Sequence, residues 1–194
     1  MPSIKRMQKT MVSIGIPEEL RDQMPFGDDK GNRPEPVIAL IDQMDALLSH
    51  EQCMAIMERE GCCTSGQRDR DCRAFGKKHA GKTLAEKIER IANVPYMMRP
   101  RLNEDGTLTV TYSGHQNGVH TGKTTCSCGT IRKLKQPFTV SKTYCGCCAG
   151  HFLYHYQNAL GVKLHLREIV SSPLDTHGEG PTSYTLTVED PKGT

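Results

Sequence analysis

Tryptophan is absent from this 194-residue chain, and phenylalanine occurs only four times. Large aromatics supply much of the buried area of an ordinary core. The core here is therefore modest, and a bound metal or a homodimer interface would add stability. No run of about 18 apolar residues is present, so no helix is expected to span a membrane. The N-terminal Met1-Pro2-Ser3-Ile4-Lys5-Arg6 starts basic but lacks the apolar stretch of a signal peptide. The expectation is a cytoplasmic protein whose cysteines stay reduced. A strong charge of either sign is also missing: the net charge is +3. Acidic and basic residues alternate, as in Arg68-Asp69-Arg70-Asp71, which is the pattern of a solvated face. No basic block is interleaved with aromatics, which argues against a nucleic-acid partner.

What the chain does have is cysteine. Nine are present, and five fall in one 23-residue stretch: Cys126, Cys128, Cys145, Cys147 and Cys148. Cys62, Cys63 and Cys72 form a second group. Their odd number and tight bunching fit a disulfide framework poorly. Thiolates are soft ligands and good nucleophiles, so these clusters mark where the chemistry lies.

The pattern predicts an α+β fold in one domain: an N-terminal arm and loop over 1–35, a helical part over 36–98 and a sheet-and-helix part over 99–194. A short helix is expected at Glu18–Gln23. Beyond Pro36, Val37, Leu40, Ile41, Met44, Leu47 and Leu48 recur at helical spacing. Ser49-His50-Glu51-Gln52 and Thr83-Leu84-Ala85-Glu86 read as capping boxes opening two further helices. Cys53 lies on an apolar helix face and reads as core. Gly61 ends that helix, and residues 69–80 form another. Period two then takes over, with strands at Thr107–Tyr112, His120–Thr125 after an Asn117-Gly118 turn, Phe138–Lys142, Lys163–Val170 and Tyr184–Val188. One helix, Cys147–Leu160, interrupts them and stops at Gly161.

Cys126-Ser127-Cys128 and Cys145-Gly146-Cys147 are two C-x-C pairs at predicted strand ends. Together they can supply four thiolates, enough for tetrahedral zinc or an iron–sulfur cluster. Adjacent cysteines diverge on an extended or helical backbone, so Cys147 and Cys148 should not both serve one ion, nor should Cys62 and Cys63. His151 falls one helical turn beyond Cys147 and Cys148. It can be a ligand, a support for a ligand, or a base beside a thiolate. A helix N-terminus would lower the pKa of thiols placed there. Cys62, Cys63 and Cys72 stay open between reactive cysteines, further ligands and ordinary helix-end residues. Arg70 and Arg73 can lower the pKa of Cys72. His120-Thr121-Gly122-Lys123-Thr124 imitates a phosphate-binding loop, but Asn117 stands where the first glycine is required. Asp175, His177 and Glu179 lie in a polar loop that reads first as a solvated turn and second as the rim of a pocket.

Tyr144-Cys145-Gly146-Cys147-Cys148-Ala149-Gly150-His151, then Leu160-Gly161-Val162-Lys163 and an alternating strand to Ser171, carry a family likeness. Over residues 60–190 the chain resembles uncharacterised bacterial cysteine-rich proteins related to the 4-vinyl-reductase domains and to the L-2-amino-thiazoline-4-carboxylic-acid-hydrolase-like proteins. The first likeness implies an α+β domain with a pocket for a small hydrophobic or metal-linked ligand. The second implies hydrolysis of a small C–N or heterocyclic substrate. Family members often carry a cysteine in the last strand; Gly178–Tyr184 has none.

Three functions follow. The first is a metal centre, zinc ahead of iron–sulfur, built from Cys126, Cys128, Cys145 and Cys147 or Cys148 with His151 in reserve. The second is a metal-free thiol enzyme acting on a small molecule, with Cys62, Cys63 or Cys72 as nucleophile candidates and His151 or His155 as base. The third is a ligand sensor whose thiols respond to metal or oxidant.

Overall fold

The computed structural model describes residues 2–27, 33–112, 128, 131, 140–174 and 181–189. Among these, seven α-helices and a four-stranded antiparallel sheet form the expected α+β fold. The helices are α1 (Ile4–Ser13), α2 (Glu18–Arg21), α3 (Glu35–Leu47), α4 (His50–Met57), α5 (Gln67–Lys78), α6 (Leu84–Ile91) and α7 (Gly146–Leu160). The strands are β1 (Arg101–Leu102), β2 (Leu108–Tyr112), β3 (Lys163–Ser171) and β4 (Thr182–Glu189), in the order β1-β2-β4-β3.

Local chemistry explains most element boundaries. Both capping boxes form: Ser49 and Thr83 accept from the backbone N–H groups of Gln52 and Glu86, whose side chains accept in return. This satisfies donors that helix starts otherwise leave orphaned. Gly161 takes the left-handed conformation at φ 71° and ends α7. There Lys87 Nζ donates to the Leu160 carbonyl at 2.7 Å, closing a terminus that lacks intrahelical donors. In the sheet, Leu108 faces Leu186 and Val110 faces Tyr184. Leu164, Leu166 and Ile169 join them on the buried face. The ring of α7 residue Phe152 stacks on Tyr184, with centroids 6.3 Å apart.

Two expectations change. Residues 1–35 contain a ten-residue helix, α1, whose Ile4, Met7 and Met11 are buried in the core. Glu60, itself fully buried, accepts from the Ser3 backbone N–H at 2.8 Å and from Arg6 Nε at 3.1 Å. That carboxylate ties the start of α1 to the turn before Gly61. The strand expected at Phe138–Lys142 also fails where it is described. Lys142–Cys145 is a 3₁₀ turn, with Ser141 Oγ accepting from Thr143 N–H and Asp45 of α3 accepting from Thr143 Oγ1 at 2.8 Å. Short polar side chains here satisfy the backbone locally and compete with a strand ladder. The Asn117-Gly118 turn and the His120–Thr125 strand lie outside the described residues.

Helix α7 runs against α5, against the 3₁₀ turn Glu58–Glu60 and against β3. The approach to the turn is backbone to backbone. A Cβ at Gly61 would lie 2.9 Å from the Gly150 carbonyl, and one at Gly150 would lie 2.6 Å from the Glu58 carbonyl oxygen. Neither clash can be relieved by a side chain moving. Gly150→Ala gains up to about 1 kcal/mol of helix propensity but overpacks a backbone contact, at about 1–3 kcal/mol. Net destabilisation is expected in urea unfolding; a stabilised Gly150→Ala variant would contradict this packing.

Candidate metal centre and cavity

The close passage of Gly61 past Gly150 sets residues 62–66 over the first turns of α7. This segment has no regular structure, and Gly66 at φ 86° turns it into α5. Here the expectation of diverging neighbours is corrected. On this bent backbone Cys62 and Cys63 both face His151, and their sulfurs and a ring nitrogen all lie within 4.8 Å of one another. Ligands on a tetrahedral zinc, bound at about 2.3 Å through sulfur and 2.0 Å through nitrogen, sit roughly 3.5–3.8 Å apart. A small side-chain adjustment therefore closes the group on an ion. Cys62, Cys63 and His151 can hold a metal.

The three donors open on a cavity of about 590 Å³. Cys128, Cys147 and Cys148 line the same cavity, so the two cysteine groups of the sequence meet there. Cys145 does not line it. It is buried, and its sulfur shares a hydrogen bond with Ser172 Oγ at 2.9 Å. Cys72 is buried within α5, and burial pushes its thiol up to about 11. Arg73 is engaged by Asp69 and Tyr154, and Arg70 by Gln67, so neither serves as the activating charge expected for Cys72. Cys53 is core, as expected, with its thiol raised by burial to about 12. Cys126 and the turn at Asp175, His177 and Glu179 lie outside the described residues.

Electrostatics divides the remaining thiols. Burial of the sulfur raises Cys62 to about 11, although the residue as a whole is exposed. At the start of α7, the Cys147 and Cys148 side chains interact with each other. This lowers Cys148 and, together with burial, raises Cys147. The helix end thus does not lower both thiols as expected: Cys148 is lowered while Cys147 is raised.

Two histidines complete the wall. His155 is fully buried, and its Nε2–H donates to the Cys63 carbonyl at 2.9 Å, pinning the loop that carries the cysteines. His151 Nε2 accepts from Arg68 Nη1. Its Nδ1 has no hydrogen-bond partner among the described residues. Burial, then the nearby charges of His155 and Arg68, lowers His151 to about 4. It is therefore neutral at pH 7, which is the form that ligates metal.

Arg68, Tyr96, Tyr112 and Phe152 also line the cavity, and sequence reasoning did not single them out. Arg68 sits in an alternating charge run that reads as solvent-facing. Its guanidinium instead lies over two rings, 5.5 Å from the Tyr96 centroid and 5.4 Å from that of Phe152. Tyr96 adopts a left-handed φ of 65°, uncommon for a bulky residue.

A histidine whose folded pKa lies below its unfolded value is protonated first in the unfolded chain. The contribution of His151 to the stability of the metal-free protein is therefore flat above about pH 6.5 and falls as pH drops toward 4. His155, also lowered, adds in the same direction. Thermal melts of His151→Gln should show a shallower loss between pH 7 and 5 than the parent; an equal slope would mean that His151 is not held neutral. In native protein, Cys53 and Cys72 should resist alkylation at pH 8 while Cys63 labels, with all nine cysteines labelling in denaturant. Fast native labelling of Cys72 would contradict its burial. Comparison of the chain with protein-family models, with curated proteins and with solved structures gives no match.

Proposed function

We propose that this is a cytosolic metal-binding protein in which Cys62, Cys63 and His151 hold one zinc ion at the wall of a small-molecule cavity. The observation that carries the reading is the convergence of two thiols and an imidazole within 4.8 Å beside a cavity of about 590 Å³. A mixed Cys₂His set suits zinc better than an iron–sulfur cluster, which normally takes four thiolates. Three protein donors leave a fourth position toward the cavity. A small ligand or water would complete the coordination, as in catalytic rather than closed structural sites. The volume falls within the usual range for small-ligand sites. The likeness to 4-vinyl-reductase-like and thiazoline-carboxylate-hydrolase-like proteins supports such a pocket and suggests a hydrolytic reaction on a small C–N or heterocyclic substrate.

A second reading rests on one observation. Cys148, lowered by its interaction with Cys147, lines the same cavity as the neutral His151 and His155. A metal-free thiol hydrolase would use that thiolate as nucleophile.

Elemental analysis of protein purified without chelator separates the two: the metal reading requires about one zinc per chain. Cobalt(II) titration should show a thiolate-to-metal absorption band that is lost in Cys62→Ser/Cys63→Ser and in His151→Ala but kept in Cys145→Ser and Cys72→Ser. Because the raised Cys62 thiol must release its proton to bind, apparent affinity should rise about tenfold or more per pH unit between pH 6 and 8. A band that depends on Cys145 and ignores Cys62 and Cys63 would overturn this donor set.

A further inference from the structure

Arg68 and a metal ion compete for the same imidazole. A neutral imidazole carries one bare nitrogen and one N–H, whereas a guanidinium only donates. Because Arg68 donates to His151 Nε2, that nitrogen is bare and the ring proton is on Nδ1. An ion that takes Nε2 displaces the guanidinium directly. An ion that takes Nδ1 moves the ring proton to Nε2, where it faces another donor. Either way, the Arg68–His151 hydrogen bond cannot survive metal binding.

Among the described residues no carboxylate pairs with the Arg68 guanidinium or lines the cavity beside it. The sequence from residue 106 to residue 167, which supplies Tyr112, Cys128, Cys147, Cys148, His151 and Phe152 to the wall, contains no acidic residue and seven lysines and arginines. A divalent ion on two thiolates is neutral overall, so one positive charge is left over. Cation–π attraction to Tyr96 and Phe152 keeps that charge at the cavity wall. The same rings, with Tyr112, present apolar surface.

We propose that the cavity takes a small monocarboxylate with an apolar or aromatic body, that Arg68 is its carboxylate receptor, and that metal loading at Cys62, Cys63 and His151 switches this receptor on. The planar fork of arginine matches a carboxylate through two parallel hydrogen bonds. Metal and carboxylate therefore bind cooperatively, each strengthening the other by the same factor. This rests on the metal reading above.

The test is calorimetry with benzoate as probe, on metal-free protein and on protein shown by native mass spectrometry to carry one zinc. Benzoate should bind the zinc form about tenfold or more tightly than the metal-free form. Arg68→Gln should lose that gain with zinc content unchanged. Arg68→Lys, which keeps the charge but not the fork, should fall between them. Benzyl alcohol, of the same shape without charge, should be indifferent to Arg68→Gln. If zinc binds but benzoate affinity is the same with and without it, or is unmoved by Arg68→Gln, the receptor proposal fails while the metal reading stands. Inorganic phosphate binding more tightly than benzoate overturns the carboxylate assignment. Protein that takes up no zinc overturns both.

Discussion

The contact between Gly61 and Gly150 is the constraint on which the site depends. Two backbones meet where any Cβ would collide with a carbonyl. The segment carrying Cys62 and Cys63 is thereby laid across the helix that carries Cys147, Cys148, His151 and His155. The two thiols that lie within 4.8 Å of the His151 ring nitrogen come from residues 62 and 63, so this donor set exists only where the two segments cross. Glu60 holds one side of the crossing by anchoring α1, and His155 holds the other through the Cys63 carbonyl. Strongly directional bonds thus surround a contact that itself supplies only proximity.

That proximity sets the electrostatics. Burial keeps His151 and His155 neutral and raises the Cys62 thiol. A divalent ion takes the imidazole in that neutral form but requires the sulfur to ionise. Metal binding and proton release are therefore one event. Arg68 donates to a His151 nitrogen that a bound ion would compete for. Cation–π attraction to Tyr96 and Phe152 holds it there, with no carboxylate partner among the described residues.

Much of the frame was legible in the sequence because its causes are local. The capping boxes at Ser49 and Thr83, the Gly161 stop and the period-two apolar positions of β3 are set by residues within a few positions of one another. Helix α1 was legible too, in the spacing of Ile4, Met7 and Met11, but the prolines and turn residues around it drew the reading toward an arm and loop. His151 could be singled out because it follows Cys147 by about one helical turn.

The donor set was harder to read for a physical reason. Local density favours the C-x-C pairs, yet Cys145 turns to Ser172, and the described donors that meet His151 come from a distant segment. Nothing near Cys62 in sequence reports that Gly61 will touch Gly150. Divergence of adjacent side chains holds for helices and strands and fails on the bend at residues 61–66. Arg68 was hidden because an alternating charge run looks the same whether one of its members faces water or a cavity. The most direct measurement is X-ray absorption at the zinc edge of the loaded protein. The account predicts about two sulfurs near 2.3 Å with nitrogen or oxygen near 2.0 Å completing the shell; a shell of four sulfurs with no light atom would contradict it.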